Sequence, residues 1–91
     1  MRRCYVDPKE AKGCKAEIVE RIREWMQAHG ITAVELRPVS GRRYYAIYFN
    51  GLPDPVPGVV LAEEDLEDPE VLISTLEAAR VVFDYETGKA D

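Results

Sequence analysis

The sequence predicts an α+β domain: a two-layer sandwich in the order helix, strand, strand, strand, helix, with an antiparallel three-stranded sheet and both helices on one face. Three observations carry that expectation. Two stretches place apolar residues at helical spacing, two adjacent segments between them are rich in β-branched and aromatic residues, and each junction holds a glycine or proline signal. At 91 residues, 46 % hydrophobic and 32 % charged, the chain has the composition of a globular domain and the length of one rather than two. The single domain of residues 1–91 is expected to hold its core within about 12–85, preceded by a basic arm over 1–11 and followed by a frayed tail over 86–91.

The first helix rests on Ile18, Ile22, Trp25 and Met26, with Cys14 one turn earlier and His29 one turn later. Glu17, Glu20, Arg21, Arg23, Glu24 and Gln27 form the opposite, solvated face. Gly30 stands where a left-handed C-terminal residue belongs, so the helix is expected to begin near Lys12 or Lys15 and to end at His29. Residues 32–39 and 42–50 then read as a hairpin around a Ser40-Gly41 turn, which pairs Arg37 with Tyr44 and Leu36 with Tyr45. The pleat sorts Val34, Leu36, Tyr45, Ile47 and Phe49 to a core face. Glu35, Arg37, Arg42, Tyr44 and Tyr48 fall on the open face.

Asn50-Gly51 and the prolines 53, 55 and 57 make a stiff connector that no strand can cross, because each proline fixes φ and lacks a donor. Residues 58–62 follow as a third strand, with Val56 leading in. Asp68 as N-cap, Pro69 at the first helical position and Glu70 near the positive dipole end signal a second helix. Its stripe is Leu72, Leu76, Ala79 and Phe83, reaching about Tyr85; a helix ending near Arg80 with a terminal strand over 81–85 is the alternative.

This order, over residues 15–85, resembles that of double-stranded RNA-binding domains and of some small toxin-type ribonucleases. The resemblance is one of element order. Where the RNA-binding family carries lysines at the start of its last helix, this chain has Glu63, Glu64, Asp65, Glu67, Asp68 and Glu70, and where the ribonucleases need a sheet histidine, the one histidine, His29, ends a helix. Order alone transfers no activity.

Charge gives the sharper functional signal. Through Pro53 the chain has ten bases and six acids, a balance of +4; from Asp54 onward it has two bases and eleven acids, −9, and together these give the net −5. The six acids among residues 63–70, with no base between them, exceed what helix-start chemistry requires and point to a protein partner with a basic surface. One form of such a domain is an inhibitor that mimics nucleic-acid charge. The alternative is a nucleic-acid face built from Arg37, Arg42, Tyr44 and Tyr48, assisted by the basic arm. An Arg37–Tyr44 cation–π pair is the structural reading of the same residues. A homodimer joining the oppositely charged halves, or the free sheet edge, is a further expectation.

No glycine-rich phosphate loop, no Gly-x-Ser-x-Gly elbow and no nucleophile–base pairing is recognisable, so no catalytic residue, enzyme activity or cofactor is expected. Cys4, Cys14 and His29 are the soft ligands, but helix geometry would separate Cys14 from His29 by roughly 22 Å, and no metal is expected. Without a signal core or a ~20-residue apolar run, the expected address is the cytoplasm and no membrane contact is foreseen. The cysteines are accordingly read as reduced thiols, Cys14 packed in the core and Cys4 at the surface.

Overall fold

A computed structural model describes residues 3–88 and orders the elements as β1 (Cys4–Val6), β2 (Ala11–Lys12), α1 (Ala16–His29), β3 (Val34–Pro38), β4 (Tyr44–Phe49), β5 (Val60–Ala62) and α2 (Pro69–Glu86). The protein is α+β with an antiparallel sheet, but the sheet has five strands rather than three, in the order β2-β1-β3-β4-β5. The three expected strands are β3, β4 and β5. The other two come from the segment read as a basic arm; its residues 1–2, and residues 89–91 of the expected frayed tail, lie outside the described residues. With two strands ahead of α1, the similarity in element order to RNA-binding domains does not extend to the whole chain.

The turn Asp7-Pro8-Lys9-Glu10 makes the N-terminal hairpin. The Asp7 carboxylate accepts from the backbone N–H groups of Lys9 and Glu10, both at 2.7 Å, and from the Tyr5 hydroxyl at 2.7 Å, while the Asp7 N–H donates to the Glu10 carbonyl at 2.9 Å. Arg23 of α1 donates from Nε to the Asp7 carbonyl at 3.0 Å, which ties the turn to the helix layer. Pairing of β1 with β3 sets Cys4 opposite Leu36, Tyr5 opposite Glu35 and Val6 opposite Val34. The pleat therefore buries Cys4 and Val6 and sends Tyr5 to the open face.

This hairpin overturns the reading of the cysteines. Cys4 and Cys14 form a disulfide, with Cα atoms 5.1 Å apart. The β1–β2 reversal folds the chain back on itself, so two residues ten apart in sequence meet. Their environments are also the reverse of those expected: Cys4 is buried in the core and Cys14 is half-buried just ahead of α1.

Helix α1 begins at Ala16, with Lys15 as an extended N-cap that makes no side-chain capping bond, and ends at Gly30 in the left-handed region, φ 67°. It buries Ile18, Val19, Ile22, Trp25 and Met26. The β3–β4 hairpin has the expected faces but a different register: Leu36 faces Ile47, Arg37 faces Ala46 and Pro38 faces Tyr45. Val39 N–H donates to the Tyr44 carbonyl at 3.1 Å and Arg42 N–H to the Val39 carbonyl at 3.0 Å, so the loop comprises residues 40–43 and not Ser40-Gly41 alone. The slip is two residues, and a slip of two leaves every side chain on its face.

Val56 anchors the proline connector, buried and donating its N–H to the Ile47 carbonyl at 2.8 Å, and β5 starts only at Val60. Helix α2 is continuous to Glu86, which resolves residues 81–85 as helix; Asp68 caps it through the Val71 N–H at 3.4 Å. Leu72, Leu76, Ala79 and Phe83 are its buried stripe. Phe49 is the aromatic centre of the core, 5.3 Å from Phe83 edge-on and 5.8 Å from Trp25. Among the described residues no helix is long and apolar enough to cross a membrane.

Candidate functional site

The acidic segment is displayed by its local geometry. The Glu63 N–H donates to the Arg43 carbonyl at 2.9 Å, which continues the β4–β5 ladder by one step. Glu63–Asp65 then forms a single 3₁₀ turn, and the Asp68 N–H bonds the Asp65 carbonyl at 3.1 Å before α2 begins. Leu66 packs partly buried against the core and pins this turn. Glu63, Glu64, Glu67, Asp68 and Glu70 are exposed and Asp65 is half-buried.

Two of the six are occupied. Glu67 forms an ion pair with Lys15, which precedes α1, and Asp68 is the α2 cap. Both partners of the Lys15–Glu67 pair are well exposed, so the pair adds little to stability. Its hydrogen bond to Glu67 holds the Lys15 ammonium above its ordinary pKa. Glu63, Glu64, Asp65 and Glu70 have no ion pair among the described residues. Arg43 borders the same shallow depression as Glu63 and Glu64 without forming a salt bridge to either among the described residues.

The four residues of the expected nucleic-acid face are only partly united. The Arg37 guanidinium lies 4.1 Å from the centre of the Tyr48 ring, so the cation–π partner is Tyr48 and not Tyr44. The two-residue register shift is the cause: Arg37 faces Ala46, and Tyr48 is its diagonal neighbour. Glu35 takes both flanking arginines, Arg37 at 3.1 Å and Arg3 at 3.0 Å. Its hydrogen bond raises the Arg37 pKa further, and the Arg37 Nε is buried without a partner. Tyr44 is half-buried opposite Ala62, and Arg42 stands in the exposed hairpin loop, away from the stacked pair.

Sequence reasoning missed that β1 and β2 contribute to this face. Tyr5 and Lys12 are cross-strand partners, Tyr5 faces Glu35, and Arg3, Tyr5, Lys12, Glu35 and Arg37 border one depression. The signal was present in Asp7-Pro8, an aspartate and a proline at the first two positions of a turn, flanked by alternating Cys4-Tyr5-Val6.

At the far end of the helix layer, Glu77 joins Arg80 at 2.8 Å and His29 at 3.5 Å, and Arg80 reaches Asp84 at 2.8 Å. The Arg80 bond holds the Glu77 carboxyl below its usual range. This cluster joins the end of α1 to α2, and His29 is absorbed in it. No protein-family model matches the chain, and neither a curated protein nor a solved structure matches it significantly.

Proposed function

We propose that the chain is a small non-enzymatic interaction or regulatory domain that docks a basic surface of a partner protein through its acidic end. The observation that carries this reading is the segment from the turn after β5 into the first turn of α2, where Glu63, Glu64, Asp65 and Glu70 form no ion pair among the described residues. A cationic partner surface would find several carboxylates without ion pairs in one short segment, and opposite charge speeds and orients the encounter. Such docking is fast at low salt and weakens as salt rises, because exposed charges are screened beyond ~8 Å at physiological ionic strength. An inhibitor that presents carboxylates in place of phosphates is one form of this function.

The test is capture of basic proteins on the immobilised domain across a salt series, compared with a Glu63→Lys, Glu64→Lys, Glu70→Lys variant whose helix content is checked by circular dichroism. These three positions avoid the Lys15 pair and the Asp68 cap. Loss of salt-sensitive capture in a folded variant supports the reading, and equal capture by both proteins ends it. A cytoplasmic address is compatible with the Cys4–Cys14 bond only where that bond can be exchanged, since stable disulfides are rare in reducing compartments.

A second reading has one observation in its favour: Tyr5 of β1, Lys12 of β2 and Arg3 just ahead of β1 border one depression with Arg37, Glu10 and Glu35, which extends the face suited to single-stranded nucleic acid beyond β3 and β4. Glu35 at its centre opposes phosphate. A fluorescence anisotropy titration with labelled single strands at ~50 mM salt decides it, since phosphate contacts are strongest there. No binding under those conditions would exclude it.

A further inference from the structure

We propose that Cys14 is a modification site for small thiols, at which the Cys4–Cys14 disulfide opens by thiol exchange in the folded protein. The inference is independent of the acidic-surface reading and rests on the unequal surroundings of the two sulfurs. Cys4 is 1 % exposed, on the core side of β1 between β2 and β3, with Leu36 as its cross-strand partner. Cys14 is half-buried and lines an open cleft of about 440 Å³ together with Gly13, Lys15, Ile18, Tyr45 and Leu66.

Exchange is a displacement in which a thiolate approaches one sulfur along the S–S axis while the other leaves. Only Cys14 borders space that an incoming thiol can occupy. Gly13 contributes no side chain to that wall, and the start of α1 directly follows, with Lys15 making no side-chain cap. The positive end of the α1 dipole therefore favours an anionic sulfur here. Glu63, which has no ion pair among the described residues, also lines the cleft and leaves a thiol with little negative charge of its own as the better substrate than a strongly anionic one.

The step balances without an outside oxidant. The small thiolate forms a bond to Cys14 Sγ, the Cys4–Cys14 bond breaks, and Cys4 departs with the electron pair and takes the proton that the small thiol gave up. The incoming sulfur is oxidised to the disulfide level and the Cys4 sulfur is reduced to a thiol. Cys4 lies in apolar surroundings that favour its neutral thiol over the thiolate, which slows its departure as well as its return, so access to Cys14 selects the sulfur attacked and an excess of small thiol holds the mixed disulfide. A disulfide with both sulfurs as buried as Cys4 would open only when the domain unfolds.

The experiment uses the full oxidised chain, incubated with glutathione or with the smaller, less anionic cysteamine under native conditions, then quenched with acid and alkylated. Cleavage after glutamate places Cys4 in residues 1–10 and Cys14 in residues 11–17, so mass spectrometry assigns the adduct. We expect the adduct on residues 11–17 and the alkyl group on residues 1–10, by a factor of at least about 10, faster with cysteamine than with glutathione. As a second readout, the single variant Cys4→Ala should be labelled at Cys14 by a pyridyl disulfide about 100-fold faster than Cys14→Ala is labelled at Cys4, because the latter requires local opening of β1. An adduct on Cys4, equal adducts on both, or an adduct that forms only in denaturant would each overturn the proposal.

Discussion

Reduction of the Cys4–Cys14 bond gives the most direct measure of what secures the N-terminal hairpin. The bond spans a sequence separation of 10 and links β1 to the residue two before α1. In the chain-entropy account, closing a loop of this length stabilises the fold by about 2.7 kcal/mol at 25 °C. For a domain of this size that corresponds to a loss of roughly 10–20 °C in melting temperature on reduction. The assay is a thermal melt followed by circular dichroism, with and without a phosphine reductant, which avoids a thiol competing for the same sulfur. Urea titration should show the midpoint fall with at most a small rise in slope, because freeing so short a loop exposes little additional surface in the unfolded chain. The fold should persist when reduced, since Val6 and the β1–β3 ladder stay in place. A melting temperature unchanged within about 2 °C would refute the reasoning and assign the hairpin's stability to packing and to the Asp7 turn instead.

Other outcomes follow from single contacts. Gly30→Ala meets no atom within 4 Å, so its cost is the left-handed backbone alone, about 1 kcal/mol, read as a lower urea midpoint. Phe49→Ala empties the space between Trp25 and Phe83 and should cost about 3–5 kcal/mol in equilibrium unfolding, the largest effect among these variants. Asp7 is held below its ordinary value of 3.8, first by the Tyr5 hydroxyl and then by the backbone N–H groups of Glu10 and Lys9. Its contribution is therefore complete above that value and is lost as pH falls through the lowered folded-state value. Stability measured from pH 6 downward should fall less steeply for Asp7→Asn than for the wild type, and Tyr5→Phe should move the Asp7 titration upward by NMR; parallel stability curves would count against the turn network.

The elements with strong local signals were legible from the residues themselves. Ile18, Ile22, Trp25 and Met26 outline α1, Gly30 ends it, and Asp68-Pro69 starts α2, because caps and apolar period are encoded within a few positions. The core face of the β3–β4 hairpin was also legible, since alternation survives a two-residue slip. What was not legible depends on distance along the chain. Strand β1 has three residues and β2 two, too short for a period to register, and they are strands only because β3 offers β1 a partner some thirty residues away. The disulfide follows from the same hairpin and was hidden with it. The 81–85 ambiguity was settled by Phe83, whose edge-on contact with Phe49 and place one turn beyond Ala79 keep the helix going through residues that favour strands by composition. Of the candidate surfaces, the exposure of the acidic end was readable from composition. The pairing of Arg37 with Tyr48 and Glu35 was not, because it needs the register.

The two outermost strands carry a consequence for how any partner can attach. On one side the sheet stops at β2, Ala11–Lys12, and on the other at β5, Val60–Ala62, with Pro57 just before it and a 3₁₀ turn just after. A guest strand laid along either border would find only a few vacant N–H and C=O groups, far short of the run that strand addition needs. Main-chain zippering, whether with another protein or with copies of itself in a growing fibre, has almost nothing to grip. Any partner would have to engage side chains, which is what the proposed acidic docking surface requires.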